Sequence, residues 1–469
     1  MTTPEIGLSP KPQPALPSLP EVYRSVSLPK GTSRWKRFLA FSGPGYLVSV
    51  GYMDPGNWST DLSGGAQFGY RLLWVILASN LMAQLLQTLC ARLGLVTGRD
   101  LAQACRDYYK KPVAIALWLL CEVAIIACDL AEVIGSAVAL NLLFGLPLVW
   151  GVLITSADVL ALLALTRFGF RKLEAVVLIL VGTIAACFAL NIFLAHPDWS
   201  GVGHGLFTPV LPNREALFIS LGILGATVMP HNLYLHSAIV QTRAHDHTPN
   251  GLRQAIRHNT LDTIIALSAA FFVNAAILVL AAAVFHQGHK GVEELQEAHT
   301  LLKPMLGGAA ATAFAVALLA SGQSSTITGT LAGQIVMEGF LKIRIAPWLR
   351  RLITRCLAII PAVLMISYTG GTHTIDMLNL SQVVLSMQLS FATFPLLMFT
   401  SDPKRMGEFA NPTWVKWVGY GVCIVIAALN LYYLETKIGV GWLVFLLGVI
   451  LAFSAWVKFG YHEKKHDLQ

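Results

Sequence analysis

The sequence predicts an all-α polytopic membrane protein of about twelve spans, arranged as two inverted five-helix repeats with two additional helices. Three observations carry that prediction. The chain of 469 residues is 55% hydrophobic and only 12% charged, about half the charge of an ordinary soluble domain. Two of its apolar runs are broken at a proline. Its lysines and arginines alternate between the segments that join the runs.

With about 20 apolar residues per span, the spans fall at 40–64, 71–95, 112–143, 148–166, 173–195, 215–241, 259–285, 306–339, 348–368, 376–399, 415–434 and 438–458. Met1 to Pro29 is polar and Pro-rich, with no apolar core of its own, so it is not a signal peptide. Residues 1–37 are expected to be a disordered cytoplasmic tail. A transport core follows at 38–400, with halves at about 38–200 and 201–400. Residues 401–469 hold two peripheral helices and the C-terminus.

Lys and Arg collect in cytoplasmic loops. With the N-terminus inside, only Arg71, Arg214, Lys290, Lys303 and Lys437 of the 33 fall in external segments. A missed span would scramble that alternation. Both termini are therefore expected in the cytoplasm of a multi-pass protein of the cell (inner) membrane. The net charge of +8 is explained by these loops and calls for no nucleic-acid partner.

The first break is Asp54-Pro55-Gly56-Asn57. Proline lacks the N–H and clashes with the preceding turn, and glycine is a poor helix former. Breaking a helix frees carbonyls, which a membrane tolerates only where they are buried in protein or line a cavity. An intramembrane carboxylate at such a place is costly and points to function. The second break, Met229-Pro230-His231-Asn232, aligns with the first on its proline. Paired breaks in the two halves point to a transporter with its site at the midplane. Asp54 and Asn57 offer hard oxygen, Met229 offers soft sulfur, and the freed carbonyls of Gly51 and Ala226 could complete a divalent-metal site. Against this stands a plainer reading, in which Asp54 caps a kinked helix and Met229 fills a gap in the core.

Glu122, Asp129 and Glu132 lie seven and three residues apart in the third span. They share one helical stripe and suggest a proton relay. His231 and His236 lie in the sixth span, and histidine titrates near neutral pH. Arg350 and Arg351 open the ninth span and are candidates to pair with Asp129 or Glu132. The structural alternative is a salt-bridge network that locks helices together. Ser321 to Thr330 is small and hydroxyl-rich, a composition for close helix packing. Gln382 offers either an oxygen to the ion or a bond to a neighbouring helix. The seven cysteines have no metal-finger spacing and read as small packing residues.

Asp54-Pro55-Gly56-Asn57, Met229-Pro230-His231 and the run Gly322 to Thr330 together resemble the Nramp family of proton-coupled Mn²⁺/Fe²⁺ transporters, over nearly the whole chain after the tail. The resemblance implies a LeuT-like fold. It implies that Asp54, Asn57, Met229 and the carbonyls of Gly51 and Ala226 bind the ion, with Gln382 approaching in some states. It also implies that Asp54, His231, Asp129, Glu132, Arg350 and Arg351 serve proton movement. Ser390 stands where relatives usually have proline, which bears on the bend of the tenth span.

The leading expectation is thus a secondary active importer of Mn²⁺ and/or Fe²⁺ coupled to protons, monomeric in the bilayer, with the metal as substrate and no cofactor. Its rivals are a LeuT-like symporter for an organic solute, which would not welcome Asp54, and a divalent-cation channel. No HExxH and no phosphate-binding GxxxxGK[ST] loop occurs, which argues against a metalloenzyme and an ATP-driven pump.

Overall fold

A computed structural model describes residues 17–19, 22–27, 34–155, 170–246, 248–286, 294–343 and 345–460. The span-one run forms α1 (Arg34–Phe41), α2 (Pro44–Gly51) and α3 (Pro55–Phe68), and α4 (Leu73–Thr97) follows. A short α5 (Leu101–Tyr108) links it to α6 (Lys111–Phe144), α7 (Leu148–Thr155) and α8 (Phe170–Ala195). After α9 (Trp199–Phe207), span six divides into α10 (Arg214–Thr227) and α11 (Pro230–Ile239). The rest comprises α12 (Pro249–Val284), α13 (Leu295–Leu306), α14 (Gly308–Leu341), α15 (Pro347–Thr369), α16 (Thr374–Thr400) and α17 (Thr413–Ala455).

Among the described residues, 9 helices are long and apolar enough to cross a membrane. Pro55–Thr97 joins the outer half of span one to span two, and Thr413–Lys458 joins spans eleven and twelve. The latter two are separated by a backbone break at Gly439, φ 78° and ψ 161°, a left-handed conformation that glycine adopts without steric cost. Most of span four, at 156–169, lies outside the described residues.

Burial sorts the helices into an interior and a rim. The most apolar window of Arg214–Thr242 is 89% buried inside the protein, whereas that of Thr413–Lys458 is 0% buried. A helix apolar all round and uncovered by protein faces lipid, as the last span does, whereas span eleven buries one face that includes Gly419, Ile426 and Asn430 against the protein. The helices that carry the breaks are central. Every residue of α3 except Gln67 is buried. Trp58 anchors it edge-on against Phe188 and Phe314, with ring centroids 4.8 and 5.2 Å away. Such aromatic pairs add about 0.5–1.5 kcal/mol beyond their buried area. On another side Pro55 lies directly on Gly135 of α6, where any side chain would overlap the proline ring.

The structure departs from the expected disordered tail in one respect. Residues 17–19 and 22–27 follow a defined path, and Val26–Ser27 (β1) pairs in parallel with Arg243–Ala244 (β2). Composition signals a lack of self-sufficient core; here the apolar and hydrogen-bonding partners come from the distant α11 end instead.

Candidate functional site

At the first break Asp54 is the N-cap of α3, in extended conformation (φ −69°, ψ 165°). Its Oδ1 accepts from the Asn57 backbone N–H at 2.8 Å and from Asn57 Nδ2 at 2.7 Å. Pro55 suits the next position because its missing N–H would have had no helical partner there. The freed carbonyls are all answered, as a membrane interior demands. Tyr52 O accepts from Asn274 Nδ2 at 2.8 Å. Met53 O accepts from Ser321 Oγ at 2.5 Å and from Trp58 Nε1 at 3.3 Å. Gly51 O accepts from Asn57 Nδ2 at 3.4 Å.

The second break faces the first. Met229 caps α11 without a side-chain bond to the helix. Its carbonyl accepts from the Asn232 N–H at 3.2 Å, and Asn232 Nδ2 approaches its sulfur at 3.6 Å. Asn57 Nδ2 crosses to Ala226 O at 3.0 Å. The Met229 sulfur stands against Gly51, 3.3 Å from where a Cβ would be, and the Gln382 amide lies on Gly56, leaving no room for a side chain. All six residues named from the sequence therefore meet at one buried locus: Asp54, Asn57, Met229, Gly51, Ala226 and Gln382. Asp54 Oδ2 and Gln382 Oε1 have no hydrogen-bond partner among the described residues. Among those residues no three His, Cys, Asp or Glu side chains are grouped to hold a metal; the donors gathered here are of mixed kind. The Asn57 amide presents nitrogen to the oxygens and turns its Oδ1 to Asn274 Nδ2 at 3.2 Å. To offer oxygen to an ion it has to turn over.

The acidic stripe on α6 is sorted by depth. Glu122 is held by Arg350 Nη2 at 2.7 and 3.0 Å, and by Trp118 Nε1 at 2.9 Å. Asp129 and Glu132 share Arg355, whose Nη1 lies 3.9 and 3.5 Å away, and Thr326 Oγ1 donates to Glu132 at 3.0 Å. This corrects the expected pairing of Arg350 and Arg351 with Asp129 or Glu132. Arg355 lies five residues further along α15, about 7.5 Å deeper, which matches the two deeper acids. The side chain of Arg351 lies outside the described residues.

A family model for Nramp, natural resistance-associated macrophage protein-like, matches residues 45–436. The chain belongs to the Nramp family. Among curated relatives, the divalent metal cation transporter MntH of Nostoc sp. is 58% identical, covering 91% of this chain and 97% of its own length. MntH of Agrobacterium fabrum is 57% identical, covering 90% and 92%. The crystal structure of the Eremococcus coleocola manganese transporter, in complex with an aromatic bis-isothiourea substituted compound, superposes with a TM-score of 0.84 at 41% identity, covering 94% of this chain and 99% of that one. Mhp1, a nucleobase-cation-symport-1 family transporter in a closed conformation, matches with a TM-score of 0.57 at 14% identity, covering 96% and 97%. That likeness shows the fold alone, and the fold is LeuT-like.

Within this Nramp chain the two histidines of span six differ. His236 is engaged by Gln87 Oε1 at 3.0 Å and Asn259 Nδ2 at 3.4 Å, in a chain that continues to Tyr52. His231 is buried, and its Nδ1 has no hydrogen-bond partner among the described residues. The hydroxyl-rich run mainly packs: Gly322 lies on Ser136 and Gly329 near Glu132, while Ser321 and Thr326 donate to the break and to the acids. The helix α16 runs unbroken through Ser390. Arg355, Asn274 and the buried Asp61 were not singled out from sequence, and Ser321 was read only as part of a close-packing run. A lone amide in an apolar run, or a carboxylate seven residues from Asp54, is the signal that marks two of them.

Proposed function

We propose that this protein is a secondary active importer of Mn²⁺ and/or Fe²⁺, coupled to proton movement by alternating access. Divalent metal cation transport is the activity named for its curated relatives. The observation that carries the reading is the meeting, at two facing helix breaks, of one carboxylate, one amide, two carbonyls and one thioether. Asp54 supplies the charge that offsets a dehydrated dication. Asn57, Gly51, Ala226 and, in some states, Gln382 supply oxygen, and the Met229 sulfur favours transition ions over Ca²⁺ and Mg²⁺.

Protons move through groups that neighbour this locus: Asp54, His231 and His236, then Glu122, Asp129 and Glu132 with Arg350, Arg351 and Arg355 as counter-charges. Carboxylates beside arginine in a membrane interior exchange protons while keeping the net buried charge small. Both termini are cytoplasmic and the transporter acts as a monomer.

The test is flux in proteoliposomes across a panel of divalent ions, with internal pH recorded in the same vesicles. Uptake of Mn²⁺ or Fe²⁺ accompanied by acidification supports the reading. Metal uptake with no pH change would remove the proton coupling, and no uptake of either ion would remove the substrate.

A further inference from the structure

On the Lys/Arg-rich face, a charged cluster grips the inner end of α2. Arg243 is fully buried, and its Nη2 meets Glu174 Oε1 of α8 at 2.6 Å. Its Nε donates to Phe41 O at 2.7 Å and its Nη2 to Ser42 O at 3.0 Å. Arg171 Nη1 reaches Glu174 Oε2 at 3.1 Å and Ser42 O at 3.0 Å. The Asp262 carboxylate of α12 accepts from the N–H of Gly45 at 2.7 Å, from that of Gly43 at 3.2 Å, and from the Ser42 hydroxyl. Three elements thus fix the half of span one that lies inward of the break.

The N-terminal segment is fastened to the same cluster from outside. Val26 pairs with Arg243 and Ser27 with Ala244. Arg24 N donates to Gln241 O at 3.1 Å, and Arg24 Nη2 to His245 O at 2.9 Å. Further back, Leu19 is buried, and Ser18 Oγ donates to Asp100 Oδ2 at 2.5 Å. Asp100 is itself the N-cap of α5, in a capping box with Gln103, and the Leu101 N–H donates to Ser237 Oγ of α11 at 2.9 Å. The segment therefore spans from the α4–α5 corner to the end of α11, over a seat made by Ala238, Gln241 and Thr242.

Ordering a polar, Pro-rich segment costs backbone entropy. The hydrogen bonds that offset this go to Asp100 and to Gln241 and His245, which flank the residue whose guanidinium holds α2. With its backbone in register with β1, Arg243 cannot shift as a whole away from Glu174 and Ser42 without breaking the strand pairing. We propose that residues 17–19 and 22–27 act as a strap that holds the cytoplasmic gate closed, and that opening inward requires it to undock. The proposal rests on the alternating-access reading above, but its test requires no transported ion.

The test is hydrogen–deuterium exchange on the full chain in detergent, comparing wild type, Ser18→Asp, and Ser18→Asp combined with Asp100→Asn. In Ser18→Asp two carboxylates face each other and the strap is released. Exchange in peptides from α2 and from residues 240–246 should then rise on the order of tenfold, with α3 and α10 unchanged. Adding Asp100→Asn removes the repulsion while keeping an acceptor oxygen, and should restore slow exchange. Unchanged exchange in α2, a uniform rise that includes α3 and α10, or failure of the second substitution to restore protection would each overturn the strap. Loss of Mn²⁺ flux in wild-type vesicles would instead strike the transport reading and leave the exchange result standing.

Discussion

The two helix breaks share a proline and little else. At the first, Asp54 caps α3 with its own carboxylate, and the freed carbonyls are answered by two other helices, through Asn274 and Ser321, and by Trp58 of α3 itself. At the second, Met229 makes no cap, and the Ala226 carbonyl is satisfied only by Asn57 reaching across. One break is rigid, charged and hard; the other is soft in its donor and held by its partner. On the proposed function, the difference would give affinity to the first break and discrimination to the second.

Asp54→Asn breaks the comparison most severely. The amide still caps the helix but leaves a dication uncompensated, a loss of about 3–4 kcal/mol that lowers uptake roughly 100- to 1000-fold. Radiotracer or fluorescence uptake of Mn²⁺ checks it; wild-type flux would make Asp54 a structural cap.

Met229→Ala sharpens the comparison. Mn²⁺ transport should persist, since Asp54 still supplies charge, while Ca²⁺ competes roughly ten- to hundredfold better, equivalent to about 1–3 kcal/mol. The measurement is Mn²⁺ uptake at fixed low concentration against rising Ca²⁺. Equal exclusion of Ca²⁺ by both proteins would place selectivity elsewhere, in cavity size or dehydration cost.

Asp129→Asn asks whether proton work belongs to either break. Asp129 lies on α6 with Arg355 Nη1 3.9 Å away, and it is not one of the donors gathered at either break. Metal-driven acidification should fall on the order of tenfold or more, because an amide cannot pass on a proton, while Mn²⁺ binding stays near wild type. Weakened binding with normal acidification would reverse the assignment.

The smallest effect concerns Asp100, a capping carboxylate at neither break. Burial pushes its carboxyl up to about 6, against the opposing pull of Ser18, the Gln103 N–H and Arg106. The folded protein therefore holds a proton that the unfolded chain releases down to about pH 4. Stability should rise as pH falls from about 6 to about 4, and Asp100→Asn should flatten that part of the profile in detergent melts, leaving Mn²⁺ uptake unchanged.

The breaks were legible because a proline within an apolar run acts locally, and the residues beside it declare their chemistry. Which arginine meets which acid was not, because that depends on how far α15 slides along α6, and no spacing in either helix encodes the offset. Arg355 read as one more loop cation for that reason. Asn274 escaped notice, and Ser321 read as packing alone, because their value comes from carbonyls freed on another helix. Residues 17–19 and 22–27 looked unstructured because their partners are residues 238–245 and Asp100, far away in the chain.

Pro55 resting on Gly135 has a mechanical consequence. The contact joins the ring at the first break to the helix that carries Asp129 and Glu132, with bare backbone and no compliant side chain between them. It is a bearing surface. The contact sits one turn beyond Glu132, with no side chain between the proline ring and the α6 backbone, so Pro55 cannot move toward α6 without pushing on the helix that carries the two acids.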